Sequence, residues 1–291
     1  MLSVIIPLYN KASFIKETLN SVVNQSFPDY EVIIYDDGST DNSVRIVENF
    51  INEYDLCHKV RVFKHSNKGV SYARNMAVEY AEFDYCVFLD ADDLIIDRDY
   101  FLDISNVINK FNCDVIAYGF SPRKKRIPSK YDQTFIDYFE LYVKYGAPFC
   151  SSSIVVKKDK CTDLFPVGET MGEDIYAWVS LINSNNKIFF RNVSAVRYVV
   201  DSEGAMNRQK KPLKLIVDRD SFNIDSPYFD SFIKHHEIDY IRSCIYHGDR
   251  VSLNSFLSEK PKSSFVFYRF LQLFPFKSLN WIKKKINKVT L

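Results

Sequence analysis

Three carboxylates fall within four residues at Asp90-Ala91-Asp92-Asp93, directly after the apolar run Tyr85-Cys86-Val87-Phe88-Leu89. That much negative charge at the end of a strand-like segment is costly without a neutralising cation. Carboxylate oxygens are hard ligands suited to Mg²⁺ or Mn²⁺, ions that commonly share their coordination with substrate phosphates. The cluster points to a metal–diphosphate site, although alone it also reads as a polar loop capping a helix. Two other acidic groups share this ambiguity. Asp36-Asp37-Gly38-Ser39 follows another apolar run, and Glu173-Asp174 opens a helical pattern, where the helix dipole alone favours acids. Arg74 has three readings: a phosphate clamp, a tether for the acidic loop, or a helix-surface ion pair.

The elements that must position these residues alternate. Apolar runs predict strands at Leu2 to Leu8, Tyr30 to Tyr35, Val60 to Lys64 and Tyr85 to Leu89. Helical spacing fills Ala12 to Gln25, Asp41 to Tyr54 and Val70 to Ala81. Such alternation implies an α/β fold with a mostly parallel sheet and helices on both faces, and ligands at its carboxyl edge. Both Asp36-Asp37-Gly38-Ser39 and the Asp90 cluster follow strands, so both belong there. Pro7 is expected to end the first strand, and Asp41 to cap the following helix. Further strands are expected at Asp114 to Phe120, Ser152 to Val156 and within Lys187 to Val200. Helices are expected near Tyr138, at Glu173 to Ile182 and beyond about residue 210. The basic run Arg123-Lys124-Lys125-Arg126 reads as a solvated loop.

With 38 Lys plus Arg against 37 Asp plus Glu, the chain lacks the cationic excess of a nucleic-acid binder. Its six cysteines form no Cys-x-x-Cys pair, which argues against both a disulfide framework and a zinc site. Cys86, Cys113 and Cys150 are expected to be buried free thiols. The N-terminal residues are not expected to act as an export signal, and no apolar run reaches the roughly 18 residues a membrane span needs. The expected location is cytoplasmic. Phe265 to Ile286 mixes Phe, Leu and Trp with Arg269, Lys277 and Lys283 to Lys285. It reads as an interfacial segment on the anionic inner face of a membrane, against the competing reading of a packed helix with a basic tail.

Four blocks occur in order: Ser3-Val4-Ile5-Ile6-Pro7-Leu8-Tyr9-Asn10, Val32-Ile33-Ile34-Tyr35-Asp36-Asp37-Gly38-Ser39-Thr40-Asp41, Gly69-Val70-Ser71-Tyr72-Ala73-Arg74-Asn75 and Phe88-Leu89-Asp90-Ala91-Asp92-Asp93. Together they resemble the signature of family 2 glycosyltransferases, strongly over about residues 1 to 120 and more weakly to about 205. The resemblance implies a GT-A, Rossmann-like domain over 1–210, with 211–291 as a helical C-terminal extension. It also implies sugar transfer with inversion from a nucleotide-diphosphate donor. Pro7, Tyr9, Asp37, Asn67, Gly69, Arg74, Asp90 and Ala91 would bind the nucleotide sugar. Asp37 would accept from the uracil N3–H, which favours a UDP-sugar. Asp92 and Asp93 would hold Mn²⁺ or Mg²⁺, either being the direct ligand. Asp174 would be the general base, with Glu173 on the acceptor side.

No Gln-x-x-Arg-Trp block follows, which points to single addition rather than polymerisation. Ser202 lies where relatives carry diphosphate contacts, and no His accompanies it. The acceptor implied is a saccharide or lipid-linked oligosaccharide of surface-polysaccharide synthesis. Two other classes compete. A nucleotidyltransferase would begin with a glycine-rich phosphate loop, and Tyr9-Asn10-Lys11 has no glycine. A non-catalytic sugar-nucleotide binder would be expected to have lost Asp90, Asp92 or Asp174.

Overall fold

The computed structural model describes residues 1–123, 125–199, 211–261 and Phe265. Its first half follows the predicted alternation: β1 (Leu2–Leu8), α1 (Ile15–Val23), β2 (Tyr30–Asp36), α2 (Ser43–Glu53), β3 (Val60–Lys64), α3 (Val70–Glu79) and β4 (Tyr85–Phe88). Then come β5 (Leu94–Ile95), α4 (Tyr100–Phe111), β6 (Val115–Ser121), β7 (Thr134–Ile136), α5 (Tyr138–Tyr145), β8 (Ile154–Lys157), α6 (Glu173–Asn183) and β9 (Ile188–Arg197). The last described helices are α7 (Lys214–Val217), α8 (Phe229–His247) and α9 (Arg250–Ser258).

The sheet runs β3-β2-β1-β4-β8-β6-β9-β5, with β7 pairing β9. β1 pairs in parallel with both β2 and β4, and β2 with β3. β8 is antiparallel to both β4 and β6, and β6 is parallel to β9. Thus β1, β2, β3, β4, β6 and β9 all point the same way, and their carboxyl ends form one rim. The turn that leads into antiparallel β8 reaches that rim from the opposite direction.

Side chains alternate across the central strands. Val4, Ile6 and Leu8 face one core with Leu19, Phe50, Phe101 and Ile104, which places α1, α2 and α4 on that side. Ile5 faces the other with Ala73, Trp178 and Phe232, the side of α3, α6 and α8. The helices of the C-terminal region share this second core: the Phe232 ring lies 5.6 Å from that of Tyr138 and 5.1 Å from that of Phe139. The fold is the expected α/β sheet flanked by helices.

Several expectations change. Pro7 does not end β1; it lies within the strand, paired with Tyr35. Leu8 faces β2, since its carbonyl accepts from the Asp37 N–H at 2.8 Å, and Ile5 faces β4 through Leu89 N–H at 3.0 Å. Pro7 therefore also faces β4, just beyond that strand's last residue, where no ladder donor is needed. Asp41 lies one residue before the N-cap position, Asn42, yet it is the Asp41 carboxylate that accepts from the Ser43 N–H at the head of α2, at 2.9 Å. α4 was not expected, although Tyr100, Phe101, Ile104 and Val107 bury one helical stripe. Among the described residues no helix is long and apolar enough to cross a membrane. Ser202 and most of Phe265 to Ile286 lie outside the described residues.

Candidate active site

Each functional side chain comes from a loop at the common rim. After β1, Asn10 adopts a positive φ of 50°. Its Oδ1 accepts from the Thr40 N–H at 2.8 Å, while its own N–H donates to Ser39 Oγ at 3.0 Å. Asp41 accepts from the Ala12 N–H at 3.0 Å, lacing this loop to the one after β2. Asp37 is buried, and its carboxylate accepts from the Lys68 and Gly69 N–H groups at 2.7 and 2.8 Å. Gly38 has φ +77°, and a Cβ there would come within 2.8 Å of Asn67 N, so only glycine fits. The loops after β1, β2 and β3 are thus tied together, with Tyr9 and Asn67 exposed on them.

The acidic loop after β4 is held from beneath. Arg74, only 3% exposed, donates through Nη2 to Asp90 Oδ1 at 2.6 Å and through Nη1 to Glu173 Oε1 at 3.0 Å. Its guanidinium also lies 5.1 Å from the Phe165 ring centroid. Each Nη group serves one acid, so Arg74 braces the acidic loop to Glu173. Neighbouring Asn75 exchanges two hydrogen bonds with the Phe165 backbone, fixing that loop.

The three aspartates diverge. Asp93 is buried; one oxygen accepts from Ser152 Oγ and the other from the Val199 N–H at 2.9 Å. Burial and Asp90 raise its pKa. Asp92 points to the rim, where Lys11 Nζ lies 2.6 Å from Oδ2. Burial raises its pKa too, against the pull of Lys11. Asp90 donates its N–H to Ser152 Oγ at 2.9 Å. Ala91 is buried and its carbonyl accepts from Thr18 Oγ1 at 3.0 Å, so it shapes the loop from behind.

Asp174 lies on the first turn of α6, half-buried, with Oδ1 accepting from the Ile175 N–H at 2.8 Å and Oδ2 from Ser151 Oγ at 3.3 Å. Burial, reinforced by Glu173, pushes its pKa up to about 6 while Arg74 opposes the rise. A carboxylate poised there can remove a proton near neutral pH.

A divalent cation fits this donor set. Among the described residues no three His, Cys, Asp or Glu side chains converge as a cage. Mg²⁺ characteristically needs only one or two carboxylates when phosphates supply the rest. The Lys11 ammonium on Asp92 already stands in for a cation at that oxygen.

The profile of glycosyl transferase family 2 matches residues 3–159, more than half of the chain. The chain belongs to glycosyl transferase family 2. One relative of this family 2 chain is the poly(ribitol-phosphate) beta-N-acetylglucosaminyltransferase TarS of Staphylococcus aureus. It is 37% identical over 116 residues, which cover 39% of this chain and 20% of TarS. Across the curated relatives compared, the aligned stretches span 16% to 38% of their own lengths. In structure, TarS residues 1–349 in complex with UDP-GlcNAc superpose with TM-score 0.64 and 21% identity, covering 84% of this chain and 72% of that one. The mannosyltransferase PcManGT of Pyrobaculum calidifontis, in complex with GDP-Man and Mn²⁺, gives TM-score 0.64 and 17% identity, covering 97% and 84%. These likenesses establish the GT-A fold.

In this family 2 chain, Arg74 joins Asp90 to Glu173 and Ser152 joins Asp90 to Asp93, whereas Asp37 meets Gly69, Asp92 pairs with Lys11, Asp174 with Ser151 and Ala91 with Thr18. Sequence reasoning missed Lys11, Ser151 and Ser152. Lys11 directly follows a signature block, a signal within reach. The serines carry no signal before the turn at Ser151–Ser153 is known to enter the rim.

Proposed function

We propose that this chain is an inverting, metal-dependent glycosyltransferase. It moves a sugar from a nucleotide-diphosphate donor, a UDP-sugar, to a saccharide or lipid-linked acceptor in surface-polysaccharide synthesis. One observation carries the reading: Arg74 bridges Asp90 to Glu173, so the acidic loop and the Asp174 carboxylate are held together by a buried ion pair. Inversion needs one base, on the face opposite the departing nucleotide. Asp174, with its raised pKa, takes the proton from the acceptor hydroxyl as that oxygen forms the bond to C1.

Asp92 would hold Mn²⁺ or Mg²⁺, since both oxygens of Asp93 already serve Ser152 and Val199. When bound, the ion neutralises charge on the leaving diphosphate. Lys11 adds positive charge beside it. Asp37, through its remaining lone pairs, together with Tyr9 and Asn67, forms the nucleotide side. TarS, whose structure was solved with UDP-GlcNAc, supports a nucleotide-sugar donor of this kind.

Donor hydrolysis tests the reading. The protein is incubated with UDP-, GDP-, dTDP- or CMP-sugars, with Mn²⁺, Mg²⁺ or EDTA. Release of UDP from one donor is expected, lost with EDTA and in Asp92→Asn. Hydrolysis of no nucleotide sugar, with no metal-dependent shift in melting temperature, would overturn it.

A further inference from the structure

The basic run after β6 reads from sequence as a solvated loop, and Lys125 and Arg126 are exposed. Arg123 departs from that reading. It folds back under the rim, half-buried, and its Nη2 donates to the carbonyl of Pro148. Its guanidinium lies 5.3 Å from the Phe120 ring centroid. Glycine at 119 makes the room: a Cβ there would meet Arg123 Nη2 at 3.2 Å and the Val193 carbonyl oxygen at 2.9 Å.

Among the described residues no carboxylate pairs with the guanidinium. Its Nε is buried without a hydrogen-bond partner, as is that of Arg74, so the contrast between the two lies in the ion pairs. Arg74, equally part of this rim, has two carboxylates. Removing a cation from water without a counter-charge is unfavourable. Burial accordingly lowers the Arg123 pKa, the reverse of Arg74.

Its position ties this guanidinium to the transfer site. Arg123 follows β6, whose carboxyl end shares the rim with that of β4. The Pro148 carbonyl it holds lies three residues before Ser151, the partner of Asp174, and four before Ser152, the partner of Asp93. The Phe120 ring lies 6.3 Å from that of Tyr198, one residue before Val199, whose N–H meets Asp93.

We propose that Arg123 is the cationic centre of an acceptor-side subsite for a phosphate or carboxylate group, so that the acceptor is an anionic saccharide or polyol. The proposal rests on the transferase reading. A planar guanidinium suits both anions, through paired N–H donors. The competing role, a mere brace on Pro148, would stabilise the loop without recognising any ligand.

Binding to the full chain tests it, with and without saturating UDP and Mn²⁺. The probes are glycerol 3-phosphate and glucuronate, with glycerol and glucose as neutral controls, followed by ligand-detected NMR and thermal shift. The expected result is binding of at least one anionic probe alongside UDP, and of neither control. Arg123→Gln should weaken it by about tenfold or more, the scale of one charge-assisted contact. Arg123→Lys should retain an intermediate affinity and serves if the Gln variant does not fold. UDP affinity in these variants separates the sources of the anion. Loss of UDP and probe together would assign Arg123 to the donor diphosphate and overturn the proposal. Failure of the wild type to bind either anion, or undiminished binding in both variants, would also overturn it. Should UDP not bind at all, the donor reading falls, and the titration without nucleotide still decides Arg123.

Discussion

At Asp174, burial and Glu173 raise the carboxyl while Arg74 pulls it down, leaving it near 6. Two consequences follow from that balance. Transfer should fall as pH drops through about 6, because the base becomes protonated; a rate profile flat down to pH 4.5 would contradict the assignment. Stability has the opposite sign. A folded pKa above the ordinary aspartate value of 3.8 means that ionisation opposes folding, so this contribution worsens as pH rises from about 4 to 6. Asp174→Asn should therefore lose on the order of a thousandfold in turnover while melting no lower than wild type at pH 7. Arg74 behaves differently. Truncation to Ala strands Asp90 and Glu173 and should cost roughly 3–5 kcal/mol in denaturant unfolding. In any residual activity it should also shift the acid limb above 6.

Among the elements, the loops after β1, β2 and β3 were legible because their chemistry is local. Gly38 and Asp37 sit next to a strand end, and a turn must follow. Pro7 misled because whether its missing N–H matters is decided by where β4 stops, a fact that lies about eighty residues downstream. Helix α4 shows its stripe plainly and went unread between two stronger features. The turn at Ser151–Ser153 was not legible, since nothing local marks it as the partner of Asp93 and Asp174. Gly38→Ala tests the loop lacing. A side chain at φ +77° is strained, and its Cβ would press on Asn67 N. A loss of about 1–3 kcal/mol is expected, with weaker UDP binding. Gly69→Ala, at φ +94° with open space around it, should cost less. Equal losses in the two variants would remove the packing argument.

Over the whole molecule, the parallel run of the first four strands was readable from alternation, whereas the strand order and the reversal at β8 were not. That reversal depends on pairings between strands separated by long loops. The C-terminal helices bring a pH effect of their own. His236 of α8 is buried against Phe232 and Tyr142 with Nε2 unpartnered, and burial lowers its pKa to about 3. The unfolded chain therefore binds this proton first, and stability should drain away as pH falls from 6.5 towards 3. His236→Leu should flatten that fall in a series of thermal melts; an unchanged slope would assign acid sensitivity elsewhere. The antiparallel strand β8 has one more consequence. Wedged between β4 and β6, it holds the Asp90 and Arg123 loops two strand widths apart, about 10 Å at their roots. Backbone hydrogen bonds set that gauge, so side-chain substitutions can retune what is gripped at either end but not the span between the grips.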